Sequence, residues 1–255
     1  MFDSHVHTSF STDSRMKIED AIKKSEELNL GLVITEHMDI NYPIESKFKF
    51  NQDDYFKQYE RYKGSNLLLG IELGMRDDCI DENRSLIGKY PFDYVIGSIH
   101  LVDNVDLYTK TFYENKSKTE AYAEYFKCML NCINTHNFIN ALGHIDYISR
   151  YAAYSDSEIY YEDFSDYIDE ILKAAVLNNT VLEINTRRLD GLQVIDNFKK
   201  IFKRYYELGG RLVTIGSDSH RVQDLGNHFH HAENIADYCN LKPVYFKERK
   251  PEYIK

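Results

Sequence analysis

The sequence predicts an α/β fold in which parallel strands alternate with crossover helices. Three observations carry that expectation. Seven apolar runs of strand length recur along the chain, helical periodicity fills most of the gaps, and metal-binding residue types gather where the runs end. The first run, FDSHV (2–6), is followed by an i, i+3, i+4 stripe of Ile18, Ala21, Ile22, Ser25 and Leu28, with Gly31 as a stop. GLVITE (31–36) and NLLLGIEL (66–73) are almost continuously apolar, as strands buried on both faces are, with a helical pattern at about 52–63 between them. The link from there to FDYVIGSI (92–99) is weaker and partly irregular. FINALGH (138–144), TVLEINT (180–186) and RLVTIGS (211–217) complete the set, with helical patterns at about 117–136, 161–178, 191–208 and 228–239. Seven such units suit a barrel one unit short of the usual eight or an open doubly wound sheet, and periodicity does not separate the two.

The bulk numbers narrow the function. The 255 residues contain only four prolines, no repeat and no Gly/Ser/Pro-rich linker, so one domain over 1–255 is expected. A formal charge of -10 argues against a dedicated nucleic-acid binder, whose affinity rests on Lys and Arg neutralising phosphates. No apolar run approaches the roughly eighteen residues of a membrane helix. The first residues lack the pattern of a secretory signal, so a cytoplasmic location is expected. The four cysteines, Cys79, Cys128, Cys132 and Cys239, have no zinc-ribbon spacing and read as reduced, mostly buried thiols.

The chemistry lies at the strand ends. His5 and His7 share one face of a strand, because side chains alternate. The second strand ends at His37, the third at Glu72, the fourth at His100, the fifth at His144, and the seventh at Asp218 and His220. Six of the ten histidines thus fall at C-terminal strand ends, where about one would be expected by chance and where parallel α/β folds build their sites. Asp13, in the loop after the first strand, joins the same rim. Nine donors exceed what one four- or five-coordinate ion can use, so two or three divalent ions are expected, with Glu72 as a bridge. The sixth strand ends in EINTRR and the loop after the fifth carries Arg150. Arg150 and Arg187 beside such ions suit an oxyanion held between cations and guanidinium groups.

The stretches DSHVHTSFSTDS, ITEHMD, GIELG, GSIH, LGHID and GSDSH, in this order from residue 3 to residue 220, resemble the PHP (polymerase and histidinol phosphatase) family of metal-dependent phosphoesterases. The length and the FSTDS continuation look like its monofunctional histidinol-phosphate phosphatases. The resemblance implies a distorted (β/α)7 TIM-like barrel with a trinuclear site at the C-terminal strand ends. His5, His7, Glu72 and Asp218 would hold one ion, Glu72, His100 and His144 a second, and Asp13, His37 and His220 a third. Position 13 varies between His and Asp in the family. Zinc, iron and manganese all occur there, and nitrogen and oxygen donors without thiolate do not choose among them.

The expected reaction is hydrolysis of a small phosphate monoester, with histidinol phosphate of histidine biosynthesis favoured. Arg150 and Arg187 would bind the phosphate, and Asp218 and His37 are the candidates for proton transfer. An acidic group should meet the substrate amine, Asp39 and Glu114 being considered. The rival readings are another phosphoesterase on this scaffold, acting on nucleotides, nucleic acid or phosphotyrosine, and a non-catalytic metal-binding module. An acidic chain lacks the basic groove a nuclease needs, and none of the nine donors is missing.

Overall fold

A computed structural model describes residues 1–253. Seven β/α units follow one another. They are β1 (Phe2–Val6) and α1 (Ile18–Leu28), β2 (Gly31–Met38) and α2 (Gln52–Tyr59), then β3 (Leu67–Gly74) and α3 (Ile80–Lys89). After these come β4 (Tyr94–Ser98) and α4 (Lys118–Thr135), β5 (Ala141–Leu142) and α5 (Tyr161–Leu177), β6 (Val181–Asn185) and α6 (Leu192–Glu207), and β7 (Leu212–Gly216) and α7 (Phe229–Cys239). The chain ends in an antiparallel hairpin, β8 (Lys242–Lys247) and β9 (Lys250–Tyr253). The strands stand side by side in chain order, and β1 to β7 pair in parallel.

The sheet closes on itself, which decides between the two architectures left open by periodicity. Val6 and Ser219 form a parallel bridge, with His7 N donating to Ser219 O at 2.9 Å and Ser219 N to His5 O at 3.3 Å. Closure is confined to the C-terminal rim, because lower down β8 pairs with β7 at Leu212 and Val213 and wedges the barrel apart. The register of β1 against β2 also shifts between Asp3 and Val6, where Val6 N donates to Thr35 Oγ1 instead of a carbonyl. These two irregularities are the distortion of the barrel.

Alternation explains the two cores. Leu32 and Ile34 face the helices, while Val33 faces inward with Leu68, Tyr94, Ile96, Ala141 and Val181. The hairpin adds Val244 and Phe246 to this inner cluster. Phe246 stacks on Tyr94 at 5.5 Å between ring centres, and Tyr245 on Phe2 at 4.0 Å. The hairpin turn, Glu248 and Arg249, has both residues at positive φ, 50° and 66°, as a two-residue turn between twisted strands requires. It docks on the barrel floor: Glu248 N donates to Asp93 Oδ1 at 3.0 Å, and Arg249 Nε to Asn140 Oδ1 at 2.5 Å. The tail therefore plugs the N-terminal mouth, and its last two residues lie outside the described ones.

Three expectations need correction. The irregular link after the third strand contains the helix α3, whose sequence IDENRSLIGK buries only Asn83 and Ile87 and so shows little stripe. The fifth strand shrinks from a seven-residue run to Ala141–Leu142, because the Asn140 side chain takes over from the backbone and accepts from Val95 N. A two-stranded ribbon, Leu101–Val102 with Val105–Asp106, follows β4 and was not foreseen. Among the described residues, no helix is long and apolar enough to cross a membrane.

Gly216 has a specific job at the seam between β7 and β1. A Cβ there would meet the His5 Cβ at 2.4 Å and Glu183 Oε1 at 2.4 Å. Gly216→Ala is expected to lower stability by about 1–3 kcal/mol through overpacking, read as a lower urea midpoint.

Candidate metal centre

All nine predicted donors converge at the C-terminal mouth. Glu72, from the end of β3, is the hub. Its Oε1 lies 3.4 Å from His5 Nε2, 3.2 Å from His100 Nε2 and 3.0 Å from His144 Nε2. Its Oε2 lies 2.7 Å from His37 Nδ1 and 3.5 Å from His7 Nε2. Asp218 Oδ1 sits 3.8 Å from His5 Nε2 and 3.4 Å from His7 Nε2. Asp13 Oδ2 lies 3.2 Å from His220 Nε2 and 3.6 Å from His37 Nε2. Asp218 is held at φ 55°, a left-handed conformation that Asp tolerates better than most residues.

Neighbouring residues fix how the rings present themselves. His5 Nδ1 lies 2.6 Å from Glu183 Oε1, and a carboxylate only accepts, so Nδ1 carries the proton and Nε2 faces inward. His100 Nδ1 donates likewise to Asp39 Oδ1 at 2.9 Å. Ser11 Oγ donates to Glu36 Oε2 at 2.6 Å, which leaves it to accept from His7 Nδ1 at 3.1 Å. The inward atoms His5 Nε2, His7 Nε2, His100 Nε2 and Glu72 Oε2 are buried and have no hydrogen-bond partner. A cluster of buried imidazole nitrogens and carboxylate oxygens, all turned toward one another, fits cations. The donors fall into groups such as His5, His7 and Glu72, or Glu72, His100 and His144, whose donor atoms lie within 4.8 Å of one another.

Sequence reasoning missed these orienting residues. The sixth strand was read as carrying arginines alone, yet Glu183 points inward to hold His5 and also accepts from His144 N at 2.7 Å. The available signal was Glu183 and Asn185 at i, i+2 in the otherwise apolar VLEIN. Asp39, considered for the substrate amine, is committed to His100, and Glu114 is exposed and lies outside the cavity lining. Both predicted arginines do line the cavity, which has a volume of about 500 Å³. Arg150 is buried and donates from Nη1 to Asp218 Oδ2 and from Nη2 to Asn185 Oδ1 at 2.9 Å. Arg187 is more open and donates to Asp218 O at 3.2 Å. Arg188 turns away and donates to Asp146 and Glu158.

Carboxylates and imidazoles shift one another across the cage. Burial would raise the Glu72 carboxyl, but His5, His37 and His100 hold it well below the usual carboxylate range. Burial works the same way on Asp218, and Arg150 with His5 overcomes it. Burial alone would lower His37, but Glu72 and then Asp13 push it up to about 10. His5 and His100 are also held well above their ordinary value against burial, by Glu183 with Glu72 and by Asp39 with Glu72. In the metal-free protein, the raised His37 contributes stability that is complete below about 6.5 and is lost as pH rises through about 10. Cations need the neutral imidazole, so their binding at pH 7 should expel these protons and weaken as pH falls. Zinc titrated calorimetrically into metal-free protein in buffers of different ionisation enthalpy is expected to show net proton release.

Fold and donor set together define a class: an α/β barrel whose C-terminal mouth gathers buried imidazoles and carboxylates that could hold cations. A profile of the PHP domain matches residues 3–187, and the chain belongs to that family. The chain is 54% identical over 253 residues, 99% of both chains, to a Clostridium acetobutylicum protein called a probable histidinol-phosphatase. It is 32% identical to a Lactococcus lactis histidinol-phosphatase, over 86% of this chain and 83% of the relative. The fold superposes with a TM-score of 0.93 on a crystal structure of histidinol phosphate phosphatase from Lactococcus lactis, complexed with zinc, L-histidinol and phosphate. That match has 28% identity and covers 98% of each chain.

Proposed function

We propose that this chain is a single-domain, metal-dependent phosphomonoesterase that hydrolyses L-histidinol phosphate to L-histidinol and phosphate. The observation that carries the reading is the cage of unsatisfied buried donors around Glu72, opening into a cavity walled by arginines and acidic and aromatic side chains. The names of the relatives point to the same substrate.

In this reading two or three zinc, iron or manganese ions would be held by His5, His7, Asp13, His37, Glu72, His100, His144, Asp218 and His220. When bound, such ions supply Lewis acidity that activates water and offsets phosphate charge. The chain's own residues do the rest. Arg187 and Arg150 face the cavity and orient the phosphate through their planar forks of donors. Asp218, which Arg150 and His5 hold ionised, is the first candidate for proton transfer by its place on the cavity wall. His37, which also lines the cavity, is the second proton-transfer candidate. Asp106, on the cavity wall, accepts from Tyr42 Oη at 2.5 Å and Tyr108 N at 2.8 Å, and its carboxylate is placed to receive the substrate ammonium.

Arg187→Ala is expected to raise KM for histidinol phosphate by roughly tenfold, about 1.4 kcal/mol, while metal content stays intact. Unchanged kinetics would remove Arg187 from the site. The reading as a whole is tested on purified protein of measured metal content, given histidinol phosphate, an aryl phosphate and single-stranded DNA. Fast phosphate release from the first supports it, and cleavage of DNA alone overturns it.

A further inference from the structure

The outer wall of the cavity is assembled from two loops that lie far apart in the chain. Tyr42 comes from the loop after β2 and Asp106 from the ribbon after β4. Both loops are exposed and turn through left-handed residues next to the wall, Asn41 at φ 60° and Asn104 at φ 64°. Loops of this kind lose entropy when they are ordered, so something must fix their relative position.

Arg76, in the loop after β3, lies behind this wall and does not line the cavity. Its Nε and Nη2 donate to the two oxygens of Asp78 at 2.8 and 2.7 Å, which locks the guanidinium plane. Its Nη1 then donates to Asn41 O at 3.0 Å and to Asn104 Oδ1 at 3.1 Å. The side chain is only 13% exposed. One planar group therefore joins three consecutive strand-to-helix loops, and its pins fall one residue before Tyr42 and two before Asp106. Arginine suits this place because its donors form a rigid fork, whereas a lysine could not hold three partners in one plane.

We infer that Arg76 is a positioning residue that sets the Tyr42–Asp106 wall and so governs recognition of the cationic end of the substrate without touching it. The inference rests on the reading of Asp106 as the ammonium acceptor. It separates two kinds of substrate. A phosphate ester carrying an amine needs the wall, and an aryl phosphate needs only the metal cage and the arginines.

The test uses metal-loaded protein with L-histidinol phosphate and p-nitrophenyl phosphate. Arg76→Ala is expected to raise KM for histidinol phosphate about tenfold, the scale of one misplaced charged hydrogen bond. Its kcat, its metal content and its kinetics on p-nitrophenyl phosphate should stay within about twofold of the parent, inside ordinary surface-mutation variation. Asn104→Gly keeps the left-handed turn and removes one pin, so it should shift KM in the same direction by less. If Arg76→Ala weakens both substrates equally, or neither, the assignment is overturned. Asp106→Asn distinguishes the underlying reading. A selective loss on histidinol phosphate with Asp106→Asn, but not with Arg76→Ala, overturns Arg76 alone. An Asp106→Asn variant that affects both substrates alike overturns the ammonium site as well.

Discussion

Glu72→Gln should abolish nearly all phosphatase activity, lowering kcat/KM on the order of 10³-fold or more, and should lose bound metal at the same time. Glu72 is within 3.5 Å of five imidazole nitrogens, and its two oxygens face different members of that set. The amide is nearly isosteric, so the barrel keeps its packing. It brings no negative charge and replaces one acceptor oxygen with a donor group. The histidines that hold Glu72 ionised would then lose their common counter-charge, and their protonated forms would repel one another and any incoming cation. Several kcal/mol of transition-state stabilisation disappear with the ions, which is the stated loss at about 1.4 kcal/mol per tenfold. Metal analysis beside steady-state kinetics checks both halves. Retention of full metal content with ordinary activity would show that Glu72 is not the hub.

Phe246→Ala should have the largest effect on stability and little on the metal content. Phe246 is buried against Tyr94 in the inner cluster at the barrel floor. Truncating a buried phenylalanine costs about 3–5 kcal/mol through lost transfer energy and a residual cavity. Urea unfolding should show a lower midpoint at an unchanged slope. The folded fraction should still bind metal, because the cage sits at the opposite mouth. Loss of metal at full stability would mean that the hairpin acts on the cage and not on the floor.

Residue types alone announced the donors, because imidazoles and carboxylates at the ends of apolar strands have few other reasons to be there. The seven-unit count was legible for the same reason: strands buried on both faces write continuous apolar runs. Less legible were elements whose faces are mostly wet or whose partners are side chains. Helix α3 buries two residues, and β5 yields a ladder position to Asn140. The orienting residues Glu183 and Asp39 were hidden because each acts through a tertiary contact, 178 and 61 positions away, that no local spacing encodes. Barrel closure was hidden too, since it depends on one bridge and on a glycine that lets β7 approach β1.

The seam between β1 and β7 has a consequence for how the protein comes into being. His5, His7 and Asp13 leave the ribosome some two hundred residues ahead of their partners Asp218 and His220. The trio of Glu72, His100 and His144 is complete once residue 144 has been made. During synthesis the growing chain therefore carries one full set of chelating residues early and withholds the other two until its seventh strand is in place. Cation capture at the finished mouth thus requires the seventh strand and the loop after it, and a chain cut short before Asp218 carries an incomplete set of donors.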